Sequence, residues 1–169
     1  MTTKPLCSSA TVFTALTLLS GSSLAAAYQV SFSSADPALK CGSSVTPIVT
    51  FSGLPSGTKS VALIFWDRSS NGLQGRWAIR NLPASDTVLQ SVSKGALTVG
   101  GGTVSPNQVG ETGFTAPCAK GRHDLYIDLY ALNTAKLEVK SDIALRPLYN
   151  TIHKFKIQEA KAHVVLTVK

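Results

Sequence analysis

The chain has 169 residues, 16 Lys and Arg against 9 Asp and Glu, a net charge of +7, and 44% apolar content. Its basic residues are scattered rather than interleaved with exposed aromatics, so nucleic acid is not an expected partner. A basic balance favours anionic surfaces such as phospholipid headgroups, polyphosphates or acidic polysaccharide, and it is compatible with peripheral membrane contact.

Residues 1–27 read as an export signal. Lys4 supplies the positive start, an apolar core runs from Ala10 to Leu19, and Ala25-Ala26-Ala27 forms the A-x-A cleavage pattern. The apolar core is too short to span a bilayer. The expectation is a periplasmic or secreted domain over residues 28–169, with 15 basic and 9 acidic residues and a net charge of +6. No N-x-S/T site occurs, so heavy glycosylation is not expected.

Cys7 leaves with the signal and does not sit at the cleavage point, where a lipid-anchor cysteine would be. Cys41 and Cys118 remain, and in an oxidising compartment two such cysteines pair by default. The alternative is two free, buried thiols. No CxxC or HxxxH spacing supports a metal site.

Tyr28 to Ser34 alternates apolar and polar residues, as a first strand should, and a loop carrying Pro37, Cys41 and Gly42 follows. Pro47 to Phe51 reads as a short strand, and Gly53 to Thr58 as dense turn chemistry. Ser60 to Trp66 is a continuous apolar run, too short for a helix, which predicts a fully buried central strand. Asp67 to Gly72 reads as a polar loop, and Trp77 to Leu82 as the next strand. Between Asp86 and Gly113, Gly, Ser, Thr and Val dominate without a phosphate-cradling Gly-Lys-Ser/Thr, so a mobile hairpin or loop is expected.

Leu125 to Leu132 reads as a second buried strand in which Asp128 must face an edge or a polar partner. Ile143 to Ile152 has helical spacing, predicting a short helix near Arg146 to His153 with Pro147 in its first turn. Lys154 to Gln158 and Ala162 to Val168 alternate with a period of two, as in a closing strand bulged near Glu159 to Lys161. The class is mostly β, an antiparallel β-sandwich with one or two short helices.

Four segments, in order and at matching spacing, give these elements a recognisable pattern. Leu54 to Leu63, LPSGTKSVAL, is similar to "P-x-G-T-K-S-x-A-L", and Asp67 follows at the right distance. Gly75 to Ala84 is similar to "W-H-W-V-V-x-N-I-P-A", and Asn107 to Cys118 to "N-x-x-G-x-x-G-Y-x-G-P-C". His123 to Leu132 is similar to "H-R-Y-x-F-x-L-Y-A-L". Together they resemble the phosphatidylethanolamine-binding protein family, in its bacterial branch often labelled Raf kinase inhibitor-like. The resemblance covers the chain from Cys41 to the C-terminus.

It implies a β-sandwich with a small cavity at one end that takes phosphate, phosphorylated headgroups or other small anions. By position, the family's site falls on Asp67, Arg76, Pro117 and His123. The chain also departs from the family. "D-P-D-x-P" is Asp67-Arg68-Ser69-Ser70-Asn71, the "H-W" histidine is Arg76, and the tyrosine of "H-R-Y" is Leu125.

His123 can donate from two nitrogens, Asp67 would favour its charged form, and Arg76 offers a fork for two phosphate oxygens. Backbone N–H groups of Gly110 to Pro117 could add donors. Ser69 and Ser70 lie in no nucleophile elbow, so catalysis is not expected. No metal or organic cofactor is implied. The alternative to anion binding is a regulatory or inhibitory module with a degenerate pocket, docking a protein through the 86–113 segment or a basic tail of Lys154, Lys156, Lys161, His163 and Lys169.

Overall fold

The computed structural model describes residues 26–169. Cys7 and the expected signal, apart from Ala26 and Ala27, lie outside the described residues. Nine strands form two antiparallel sheets. β1 (Gln29–Ser31), β2 (Val49–Ser52) and β5 (Thr87–Leu89) make the smaller sheet, in that order. The larger runs β6 (Thr98–Val99), β7 (Gly102–Ser105), β4 (Gly72–Pro83), β3 (Ser60–Ser69), β8 (Gly121–Leu132), β9 (Lys156–Val168). Among the described residues one α-helix, α1 (Leu145–Phe155), precedes β9.

The unbroken apolar run of β3 follows from this layering. Side chains alternate across a strand, and β3 is covered on both faces. Val61, Leu63 and Phe65 join Val49 and Phe51 of the smaller sheet in the core between the sheets. Ala62 and Ile64 face the other way, packing with Leu145, Leu148 and Ile152 of α1. All five of these β3 residues are fully buried. Burying each large aliphatic contributes roughly 1.5–3 kcal/mol.

Several boundaries differ from the sequence expectation. The first strand shortens to Gln29–Ser31, because Ser33 starts a turn in which its hydroxyl accepts from the Ala35 amide at 3.1 Å. Asp67 to Ser69 is strand rather than loop: Asp67 pairs with Gln74, Arg68 with Leu73 and Ser69 with Gly72, leaving Ser70-Asn71 as a two-residue turn. Backbone pairing does not need apolar side chains, so polarity misread this hairpin. Lys154 and Phe155 end α1 instead of beginning the closing strand; five alternating residues cannot be told from a last helical turn. The bulge in β9 is at Ile157, since Ala131 pairs with Gln158 and Leu132 with Lys156.

Other expectations hold. Pro147 sits in the first turn of α1. Asp128 accepts from the Tyr130 hydroxyl at 3.2 Å and from Lys161 Nζ at 3.0 Å. The Gly-rich stretch meets its expectation only in part: it forms the β6–β7 hairpin, turning at Gly100-Gly101. However, β7 pairs with β4 and β5 with β2, burying Leu89, Val99 and Val104, so the stretch is built into both sheets rather than being a loop. Cys41 and Cys118 form a disulfide with Cα atoms 4.7 Å apart, and both cysteines are exposed rather than buried.

Candidate functional site

β3 and β8 are paired antiparallel, with Asp67 opposite Leu125. The end of β3 therefore lies beside the start of β8, and Asp67 and His123 both project into the space between the sheets. Both are fully buried. His123 Nδ1 lies 2.7 Å from Asp67 Oδ1, across 56 residues of sequence.

Arg76 reaches the same carboxylate through a backbone irregularity. Phe65 pairs with Trp77 but Trp66 pairs with Gly75, so Arg76 is the extra residue of a β-bulge in β4. A bulge breaks strict alternation and re-aims a side chain. Trp77 already packs between the sheets, and Arg76, its neighbour, turns to that side as well. Its Nη2 and Nε donate to Asp67 Oδ2 at 2.7 and 3.1 Å. Without the extra residue, Arg76 would follow alternation onto the opposite face.

His123 Nε2 lies 2.7 Å from the backbone carbonyl of Ala119. Both ring nitrogens are thus engaged inside the protein, one by a carboxylate and one by a backbone carbonyl. Asp67 accepts two charge-assisted bonds from Arg76 on one oxygen and meets the imidazole with the other. Charge-assisted bonds of this kind are about twice as strong as neutral ones. Arg76 Nη1 has no protein partner among the described residues, and the side chain is 16% exposed.

The loop from Asn107 to Ala119 closes over this cluster. Phe114 anchors it, packing edge-on against Phe65 and Trp77 with centroids 5.4 and 6.1 Å away. Asn107 organises the turn: its Oδ1 accepts from the amides of Val109 and Glu111, and its Nδ2 donates to Thr115 Oγ1. The Thr115 amide donates to the Arg76 carbonyl, and the disulfide ties the far end. Of the Gly110 to Pro117 amides expected to offer donors to an anion, those of Gly110, Glu111, Phe114 and Thr115 are spent within the protein.

Gly113 in this loop has φ +125°, and a Cβ there would collide with the Lys94 carbonyl, which accepts from Phe114 N. Gly113→Ala is expected to destabilise the protein by about 1–3 kcal/mol, because positive φ and a backbone clash act together. A urea midpoint unchanged from the parent protein would contradict this placement.

Of the four residues chosen from sequence, Asp67, Arg76 and His123 converge. Pro117 is buried two residues ahead of Ala119 and makes no hydrogen bond among the described residues. Sequence reasoning missed the Ala119 carbonyl and Asn107. A backbone acceptor carries no side-chain signal, whereas Asn107 opens the N-x-x-G segment and could have been read as an Asx turn. Ser69 accepts from the Asn71 amide in the hairpin turn and makes no bond to His123.

The basic tail is largely neutralised inside the molecule. Lys156 and Lys161 both pair with Glu159, and His163 contacts Asp124 and stacks on Tyr126. Burial pushes the Glu159 carboxyl up, but the two lysines outweigh it and hold the group below the ordinary carboxylate range.

The phosphatidylethanolamine-binding protein family model matches residues 17–167. The UPF0098 protein YbcL of Escherichia coli K12 is 29% identical over 136 residues, covering 76% of this chain and 74% of that protein. A UPF0098 protein of Methanothermobacter thermautotrophicus is 32% identical over 96 residues, covering 55% of this chain and 64% of that one.

The crystal structure of E. coli YbcL, described as a new member of the mammalian PEBP family, superposes with TM-score 0.67 at 25% identity. The match covers 85% of this chain and all of that one. A putative PEBP homolog from Chlamydia trachomatis, CT736, gives TM-score 0.68 at 22% identity, over 85% and 99% of the two chains, and shares the fold. A family match along nearly the whole sequence, on the same two-sheet architecture, establishes that this chain belongs to the phosphatidylethanolamine-binding protein family.

Proposed function

We propose that the chain is an exported domain that binds a small oxyanion, such as phosphate or a phosphorylated headgroup, at the lip formed by Arg76, without turning it over. One observation carries this reading: Arg76 commits Nε and Nη2 to Asp67 and, among the described residues, keeps Nη1 without a protein partner on a side chain that reaches the surface. Asp67 fixes the guanidinium, so little side-chain entropy is lost when an anion docks. His123 and Asp67 act as the support, not as the contact. Catalysis is disfavoured because both imidazole nitrogens already have partners, which leaves no free base for a nucleophile. The exposed disulfide supports export to an oxidising compartment.

Titration with inorganic phosphate and with phosphoethanolamine, followed by NMR, tests the reading. Saturable shifts are expected at Arg76 and at the 117–119 segment, with Kd on the order of 1 mM, roughly 4 kcal/mol of binding. Arg76→Ala should weaken binding at least about tenfold, the loss of one charge-assisted contact. Absence of shifts at tens of millimolar phosphate would end the proposal.

A second reading, a regulatory interaction module whose pocket has closed, is favoured by the way Asp67 and His123 satisfy each other internally. A stoichiometric protein partner that neither phosphate nor moderate salt releases would support it.

A further inference from the structure

Trp66 and Asp67 are consecutive on β3 and point to opposite faces of the larger sheet. Asp67 enters the cluster described above, whereas Trp66 borders a separate groove of about 870 Å3 on the outer face. The helix α1 covers only part of that face: Leu148 and Ile152 seal it over Ile64 and Tyr130, and the helix begins at Leu145, against Gly75 and Trp66. Beyond its first turn, Trp66, Tyr126, Leu145 and Tyr149 are left as apolar walls.

The charges around these walls are one-sided. Arg68 and Arg146 line the groove and are exposed, and their guanidinium groups have no ion pair or hydrogen bond among the described residues. Arg68 does lie over the Tyr126 ring, 5.9 Å from its centroid. Lys161 also lines the groove, and the acid there, Asp128, is already paired with it at 3.0 Å. Arg146 occupies the first turn of α1, where the helix dipole disfavours a cation, and neither an acidic residue nor a side-chain cap offsets it. A local rule broken without internal compensation is the pattern expected where a ligand supplies the missing charge.

We propose that this groove binds an amphipathic anion, with an aromatic or aliphatic body against Trp66, Tyr126 and Tyr149 and a carboxylate, sulfonate or phosphate head held by Arg68 and Arg146. Apolar walls with a few convergent polar groups are the usual make-up of small-molecule sites, and a groove of this volume suits a ligand of drug size. Arginine is suited to both tasks here, stacking on an aromatic face and pairing with an oxyanion in a fork. The site is independent of the Arg76 lip, which lies on the other face of the sheet.

The full chain would be titrated with 8-anilinonaphthalene-1-sulfonate, an aromatic sulfonate, following its fluorescence. One saturable site is expected, with Kd on the order of 10–100 µM for a ligand of this size. Decanoate should compete, since it combines an apolar body with an anionic head, and millimolar inorganic phosphate should not. Arg68→Gln combined with Arg146→Gln, both at exposed positions, should weaken binding about tenfold or more. An unchanged circular dichroism spectrum would show that the variant stays folded, and Lys40→Gln, an exposed cation beside the Cys41 loop, should leave affinity unchanged. Unsaturable binding, an affinity indifferent to the double substitution, or loss of binding in Arg76→Ala with displacement by phosphate would each overturn the assignment.

Discussion

Asp67→Ala is expected to remove about 3–5 kcal/mol of stability, the range for breaking a buried ion pair from one side. The carboxylate is fully buried and is the common acceptor for His123 and Arg76. Its loss strands an imidazole at zero exposure beside a guanidinium with no counter-charge. The urea midpoint should fall at constant m, as it does when stability changes but the unfolded state does not. Asp67→Asn keeps the shape and one acceptor oxygen and should cost less. Arg76→Ala should cost only about 1–2 kcal/mol, because His123 still serves the carboxylate and Arg76 itself reaches water. A loss below about 1 kcal/mol for Asp67→Ala would mean that the three bonds on this carboxylate do not hold in solution.

The second large effect is expected at the disulfide. Cys41 and Cys118 close a loop spanning 77 residues, and in the chain-entropy account removing such a crosslink costs about 4 kcal/mol through the unfolded state. The pair Cys41→Ser/Cys118→Ser should lower the urea midpoint accordingly. Because both cysteines are exposed, dithiothreitol should reduce the bond in the folded protein, without denaturant. Cys118 follows the loop that covers His123, through Pro117, so reduction should also loosen that loop. Hydrogen exchange at Thr115 and Phe114, whose amides hold the loop to Arg76 and Lys94, should speed up before exchange in β3 does. Equal protection of these amides in oxidised and reduced protein would show that Phe114 and Asn107 hold the loop without the crosslink.

The two effects differ in origin and should add. Asp67 acts on the folded state, where an unpaired charge is costly to bury. The disulfide acts mainly on the unfolded chain. The quadruple comparison of parent, Asp67→Ala, the cysteine pair and their combination should therefore show coupling within about 0.5 kcal/mol if the sites are independent. Coupling well above that would indicate that the 107–119 loop transmits one to the other.

Much of this molecule was legible before any coordinates. Ser60 to Trp66 had to be a doubly buried strand, because seven residues of that composition can be covered only from both sides. Cys41 and Cys118, the two cysteines outside the expected signal, are paired, as the sequence reading expected. The order of four short motifs was enough to indicate the family and to bring Asp67, Arg76 and His123 forward as one site.

What remained hidden depends on contacts between segments far apart in the chain. Whether Arg76 faces inward is decided by one extra residue in β4, and a bulge leaves no composition signal because it concerns pairing with another strand. That the amides of Gly110, Glu111, Phe114 and Thr115 are taken up follows from where Asn107, Lys94 and Arg76 come to lie. The groove beside Trp66 exists only because α1 starts where it does: Trp66 on β3, Tyr126 on β8, and Leu145 and Tyr149 on the helix become neighbours through packing alone. Residue type and period thus set which segments are strands and which faces are apolar, since those properties are local. Charge partners, accessible donors and empty space are properties of pairs of segments, and the tertiary structure alone decided them.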